Sequence, residues 1–334
     1  MKKLPLPLQV AFEPDGKLTK APGRPSLPRV IWVERQTPLL HPSPMLGDDA
    51  VLSLNLAQGC AHRCAFCNAR AYPSYPGDEV VCLCKDTVRT LTKELSSRKR
   101  LPRAVYISPS TDPFMPLAEV QTLTAEVVEL LAGHGVESWL MTRGFIRPAA
   151  QETLVRHRLR VKVTLALTTL DRQLQRLLEP LAAPPRMRLR QLARLREAGV
   201  PLQIEVAPLL PGLTDTRSNL AELLEALAAI GVDRITAGYM FLRPGILANL
   251  AAVLPPPWKD LLEGVYREGR VLESPGVAPA RYLHRRRRQS GYATLMALAA
   301  PLGIKTSISS ITNPDFAGRP SAPTGPRQRL LPYW

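Results

Sequence analysis

Three cysteines, Cys60, Cys64 and Cys67, stand at Cys-x3-Cys-x2-Cys spacing straight after the apolar run Val51-Leu52-Ser53-Leu54-Asn55-Leu56. Thiols this dense in one loop all reach the same small volume, and few structures other than a metal centre ask for that. An iron–sulfur cluster accounts for them, since soft thiolate sulfur suits iron and a 4Fe-4S cubane takes one protein ligand at each iron, four cysteines when complete. Three cysteines leave one iron open to something outside this loop. The alternatives are a zinc site or buried free cysteines. Structural zinc normally shows two paired ligand groups, and a second pair is hard to place here.

Further properties bound the class. The chain has 334 residues, 45% of them apolar and 22% charged, which reads as globular with room for one large or two ordinary domains. No stretch approaches the roughly 20 apolar residues of a membrane helix. Met1-Lys2-Lys3-Leu4-Pro5 carries basic residues but no apolar segment of a signal peptide. All five cysteines fall between Cys60 and Cys84, too localised to staple the chain, so they read as a metal or redox locus in a reducing compartment, the cytoplasm. The 44 Lys+Arg against 28 Asp+Glu give a formal charge of +16. Such a balance favours a polyanionic partner, nucleic acid, through counterion release; an arginine-rich genome would give the same excess.

Residues 1–47 hold nine prolines and no sustained period. They read as an extended lead-in, with Val30-Ile31-Trp32-Val33 as a short edge strand. Residues 312–334, rich in Pro, Gly and Arg, read as a flexible tail. Between them, residues 48–311 alternate strand-like runs (Val51–Leu56, Ala104–Ser108, Ser138–Thr142, Val161–Thr168, Leu202–Ala207, Arg234–Tyr239) with amphipathic segments (Asp86–Ser97, Leu123–Gly133, Pro148–Arg156, Asp171–Leu178, Arg188–Gly199, Asn219–Ile230). This is the pattern of βα units around a buried parallel sheet. Periodicity alone allows an open doubly wound sheet as well as a barrel of six units.

The cysteine spacing, with Phe66 just before the third cysteine, resembles the signature of the radical SAM enzymes. The wider pattern Gly59-Cys60-x-His62-x-Cys64-x-Phe66-Cys67-x-Ala69-Arg70 is similar to the spore photoproduct lyase-like branch of that superfamily. The resemblance implies a partial (β/α)6 TIM-type barrel and a 4Fe-4S cluster on Cys60, Cys64 and Cys67. It also implies S-adenosylmethionine (SAM) on the open iron, cleaved reductively to a 5′-deoxyadenosyl radical, and an external electron donor of flavodoxin or ferredoxin type. By the same analogy the substrate is nucleic acid, in the manner of a lyase in DNA repair. The competing reading is a nucleic-acid-binding protein with a structural or redox-sensing cluster.

The resemblance also points to single residues. Ser110, Thr111 and Asp112 end the second strand where the family holds the methionine moiety of SAM; the bland reading is a proline-bracketed turn. Arg143 takes the place of a family lysine that contacts SAM, and its planar fork is not equivalent to a point charge. Ala166 stands where the family commonly has serine, leaving Thr164 or Thr168 as substitutes, and Phe66, beside the third cysteine, is a further expected SAM contact. Pro109 stands where photoproduct lyase has a hydrogen-donating cysteine, so that activity itself is not implied. Cys82 and Cys84 either donate hydrogen, serve an auxiliary cluster, or stand apart. Glu205, inside an apolar strand, needs a partner: substrate or SAM, or, as the favoured reading, one of the many arginines. Arg285, Arg286, Arg287 and Arg288 open a late helix and form a candidate phosphate-contacting patch.

Overall fold

The computed structural model describes residues 25–35, 37–42, 48–274, 277–310, 312–313 and 315–316. Most of the lead-in expected over 1–47 and of the tail expected over 312–334 lies outside these residues.

The backbone of the fold is a sheet of eight strands. In chain order they are β2 (His41–Pro42), β3 (Val51–Leu54), β6 (Ala104–Ile107), β7 (Glu137–Thr142), β8 (Val161–Ala166), β9 (Leu202–Leu209), β10 (Arg234–Tyr239) and β14 (Lys305–Ile308). They lie side by side in that same order, every neighbouring pair parallel except the antiparallel edge strand β2. Sequential neighbours joined by helical crossovers are what a run of βα units produces. The six expected strands are all present. A seventh parallel strand, β14, was not expected: Lys305-Thr306-Ser307-Ile308 is short and mostly polar, and it reads as strand only through its register with Arg234–Ala237.

The alternation of side chains across this sheet gives it two unlike faces. Leu54, Ile107, Leu140, Val163, Leu165, Ile204, Val206 and Ile235 are buried in one continuous core with residues of the helices. These helices are α1 (Thr87–Ser96), α2 (Ala118–Gly133), α3 (Pro148–Arg156), α4 (Arg172–Leu178), α5 (Pro185–Glu197), α6 (Arg217–Ala229) and, late in the chain, α9 (Arg285–Ala299). The intervening positions, Tyr106, Trp139, Met141, Lys162, Thr164, Gln203, Glu205, Thr236 and Ser307, are half-buried or exposed. One face is thus apolar and helix-covered, while the other carries mostly polar or half-buried side chains, with Ser53 and Ala166 buried in the same register rows.

Two smaller sheets complete the fold. Strand β1 (Arg29–Val33) pairs parallel to β5 (Val80–Cys84), which in turn pairs antiparallel to β4 (Ala57–Gln58). The expected edge strand is therefore present, and its sheet closes over a satellite core of Ala57, Ala61, Val81, Leu83, Met115, Leu117 and Val120 beside the cysteine loop. Between β10 and α9, β11 (Phe241–Leu242), α7 (Ile246–Val253), α8 (Pro256–Arg267), β12 (Val271–Ser274) and β13 (Val277–Tyr282) form an unforeseen insertion. Among the described residues no helix is long and apolar enough to cross a membrane.

Candidate active site

Strand β3 delivers the chain to β4 and then to the cysteine loop, at the carboxyl end of the parallel strands where ligands of such sheets collect. Cys60, Cys64 and Cys67 line one cleft together with Asn55, Gln58, Arg63, Tyr72, Ser110 and Thr111. None of the three thiols is in a disulfide. Burial pushes the Cys60 thiol well above its ordinary value, aided by Asp112, and does the same at Cys64, aided by Glu179. Without a bound metal these thiols are therefore protonated, and a metal centre is what would ionise them. Among the described residues no three His, Cys, Asp or Glu side chains converge as they would on a single metal ion.

The loop is pinned to the protein on two sides. On one, Ala65 N donates to Leu178 O at 2.9 Å and Leu181 N to His62 O at 3.3 Å, tying the loop to residues 178–183 between α4 and α5. On the other, buried His62 places Nδ1 3.2 Å from Asp112 Oδ2. The Asp112 carboxylate is fully engaged. Thr142 Oγ1 and Phe114 N donate to Oδ1 at 2.7 and 2.8 Å, and Arg143 N donates to Oδ2 at 2.7 Å. Burial alone would raise this carboxyl, but His62 and these donors hold it below its ordinary value. Through these contacts Asp112 joins the loop to the ends of β6 and β7.

Arg143 is likewise committed. Its guanidinium donates to Glu179 Oε1 and Ala207 O, both at 2.6 Å, and lies 5.0 Å from the centre of the Phe66 ring. Glu179 also pairs with Arg188, which donates to Ala183 O at 2.8 Å and Ala166 O at 3.0 Å. Burial opposes the charge on Glu179, and the two guanidiniums still hold its carboxyl below the usual range. Phe66 and Thr168 are buried away from the cleft lining, and the Thr168 carbonyl accepts from Asn219 Nδ2 at 3.0 Å. Of the residues expected at SAM, Ser110 and Thr111 are the two in the cleft. Asn55 Oδ1 accepts from Ser110 N at 3.1 Å, and the buried Thr111 hydroxyl has no partner.

Sequence reasoning missed Gln58, Arg63 and Tyr72. Arg63 sits in the left-handed region at φ 53 and faces the cleft with buried Nε and Nη2 that make no hydrogen bond, although Nη2 lies 3.3 Å from exposed Glu79. Its position between the first two cysteines was the available signal. Cys82 and Cys84 lie on β5 outside the cleft, Cys82 opposite Gln58 of β4.

Glu205 has no ion pair among the described residues, against the expectation of an arginine partner. It lies half-buried in the register row Ala166–Glu205–Thr236 on the polar face. Burial raises its carboxyl, opposed by the charge of Arg143. The folded chain therefore holds this proton more tightly than the unfolded chain does. The resulting stability is complete below the ordinary carboxylate range and lost as pH rises through the raised value. Glu205→Gln is expected to raise the thermal midpoint at neutral pH by a few degrees and to flatten its decline with pH; a lower midpoint at pH 7 contradicts this.

The basic helix start divides. Arg285, Arg286 and Arg287 are exposed. Arg288 is buried, donates to Asp315 through both Nη atoms (2.7 and 2.5 Å) and to Asn313, and stacks 4.8 Å from the Phe316 ring. It is withdrawn from the candidate nucleic-acid contacts.

No family model matches the sequence. An uncharacterised protein of Mycobacterium tuberculosis is 29% identical over 206 residues, 57% of this chain and 59% of that protein. A protein of Pseudomonas phage M6 named radical SAM Nalpha-GlyT isomerase is 26% identical over 208 residues, 60% of this chain and 42% of that protein. The chain thus covers less than two thirds of the length of these relatives. In three dimensions the chain is similar to spore photoproduct lyase complexed with dinucleoside spore photoproduct: TM-score 0.66 and 13% identity over 87% of each chain. A mutant of that lyase with bound AdoMet and the same dinucleoside gives TM-score 0.66 and 14% identity over 84% of this chain and 81% of that one. The chain has the fold of that lyase.

Proposed function

We propose that this chain is a radical SAM enzyme, with Cys60, Cys64 and Cys67 holding a 4Fe-4S cluster and SAM completing it. The observation that carries the reading is the cleft itself: three unpaired thiols, the partnerless Thr111 hydroxyl and the Arg63 guanidinium share it, on a fold shared with an enzyme that binds AdoMet. The residues fit such a group. Three soft donors suit iron, and a cubane spreads them over separate irons instead of drawing them onto one ion. When bound, the pair supplies one-electron reductive cleavage of SAM. The chain's own contributions are positional. Asp112 and residues 178–183 hold the loop, Ser110 and Thr111 offer hydrogen bonds to the polar end of SAM, and the Arg143 charge behind Phe66 offsets the negative thiolates. The polar face of the sheet from Tyr106 to Thr236 is the floor for a substrate, in the manner of a partial barrel.

The substrate class we favour is nucleic acid, supported by the charge of +16, by exposed Arg285, Arg286 and Arg287 at the start of α9, and by the dinucleoside bound in the lyase of like fold. Pro109 argues that the reaction differs from that lyase's. A cluster of this kind fits a reducing, cytoplasmic setting. The test is anaerobic reconstitution with iron and sulfide, followed by dithionite and SAM, with 5′-deoxyadenosine as readout. Its formation is expected. A brown protein that never cleaves SAM favours the cluster-bearing nucleic-acid-binding protein, and a colourless protein holding zinc sinks both readings.

A further inference from the structure

One basic surface takes no part in the cleft. Helix α5 buries Arg188, Gln191, Leu192 and Leu195. Its opposite face presents Arg186, Arg190 and Arg194, one helical repeat of four apart, all exposed and without a hydrogen-bond or ion-pair partner among the described residues. Beside them runs a groove between α5 and the start of α3, lined by Phe145, Gln151, Met187, Arg190, Gln191 and Arg194 and by no carboxylate. Phe145 is 39% and Met187 40% exposed, both large apolar side chains left open to water. Exposed Arg147 stands two residues beyond Phe145 in the chain.

An aromatic and a methionine rimmed by unpaired guanidiniums match a protein-binding surface, whose centres are enriched in Phe, Met and Arg. A phosphate backbone asks for the charges but gains nothing from the apolar centre. The complementary partner is therefore an acidic protein.

The groove is also tied to the rear of the cysteine loop. Phe145 follows two residues after Arg143, whose guanidinium lies over Phe66, the residue before Cys67. Gln191 accepts from Ile146 N at 2.7 Å and donates to Gly144 O at 3.4 Å, fixing the Phe145 segment to α5. Ala183 N donates to Arg143 O at 3.0 Å, and residues 178–183, which lead into α5, hold the cysteine loop through Leu178 O and Leu181 N. A reductant arriving through the cleft would compete with SAM and substrate for the same opening. One seated on the groove would not.

Building on the proposed radical SAM reading, we propose that the groove between α3 and α5 is the docking surface for an acidic one-electron carrier protein. The carrier gives up one electron, and the group held by Cys60, Cys64 and Cys67 gains it. The Arg188–Glu179–Arg143 chain and Phe66 are the packed matter between them.

The test uses the full-length reconstituted protein and its Arg186→Glu/Arg190→Glu/Arg194→Glu variant, with a flavodoxin as the probe. Reduced flavodoxin is expected to bleach the visible absorbance of the variant at least about tenfold more slowly than that of wild type at low salt, and the salt dependence seen in wild type should vanish. Dithionite, which needs no docking surface, should reduce both equally. Oxidised flavodoxin binding, followed by anisotropy, should weaken by about the same factor, and Phe145→Ser/Met187→Ser should weaken it with all charges in place. Equal bleaching and equal binding in wild type and variants overturn the proposal. So does a variant that loses only affinity for a short DNA duplex, which makes the surface a nucleic-acid face. Failure of dithionite to bleach wild type counts against the cluster reading, while the binding arm still decides the docking surface.

Discussion

Alanine at any one of Cys60, Cys64 or Cys67 is expected to lower iron loading from about four atoms per chain to below one, and to abolish 5′-deoxyadenosine formation with it. The loss should be chemical and not a failure to fold. The loop is held without metal, by the His62–Asp112 contact at 3.2 Å, by Ala65 N on Leu178 O at 2.9 Å and by Ala61 N on the Met115 sulfur at 3.5 Å. Cys60 and Cys67 are only half-buried, and their truncation leaves cleft rather than a closed cavity. The metal-free variants should therefore melt within about 1 kcal/mol of the metal-free wild type. Cys82→Ala and Cys84→Ala are the controls: their thiols stand on β5 outside the cleft, so loading should survive. Iron analysis and circular dichroism on the five variants decide the matter. Full loading in a Cys64→Ala protein, or its loss in Cys82→Ala, would falsify the assignment of ligands.

Much of this was legible in the chain, and the parts that were not share a physical reason. The six main strands are apolar at alternate positions and bounded by helical segments, so they declare themselves; β14 and the insertion from Phe241 to Tyr282 are recognised mainly by what they pair with. The three cysteines announced the cleft because their chemistry is local. Asp112 and Arg143 occupy strand ends that point toward ligands, and nothing local shows that both are already satisfied by partners 30 to 64 residues away. The buried arginines were closer to legible than they looked. Arg188 falls in helical phase with Leu192 and Leu195, and Arg288 with Tyr292, Leu295 and Ala299, all of which are buried. Phase identifies which arginine of a run turns inward. Charge counting alone treats Arg285 to Arg288 as one patch. The same rule leaves Arg186, Arg190 and Arg194 on the outer face, where they are found.

Glu179→Ala is expected to have the largest effect on stability of any single substitution outside the apolar core, a loss of about 3–5 kcal/mol. The side chain is 1% exposed and, among the described residues, is the carboxylate that pairs with both Arg143 and Arg188. Its removal strands two guanidiniums that burial has taken from water, and Arg188 has nowhere to go: it is itself 2% exposed and bound to the carbonyls of Ala166 and Ala183. The pH dependence separates this from a simple cavity. The carboxyl is held below its ordinary value in the folded chain by the two guanidiniums, against the opposing effect of burial. Its contribution is thus complete above the unfolded carboxylate value of about 4.3 and is lost as pH falls through the lower folded value. Denaturant unfolding at pH 7 should show the full gap between wild type and Glu179→Ala, and the gap should narrow on acidification. Glu179→Gln, which fills the volume without the charge, should also be destabilised, because it leaves both cations unneutralised. Combining Glu179→Leu with Arg188→Met should recover part of the loss, since a buried pair replaced by apolar groups of similar size costs far less than a pair broken on one side. A gap that stays constant down to acid pH would mean that Glu179 stabilises the fold by filling space. Arg143 would then hold its place over Phe66 through the Ala207 carbonyl alone, and the link between α5 and the cysteine loop would rest on backbone hydrogen bonds.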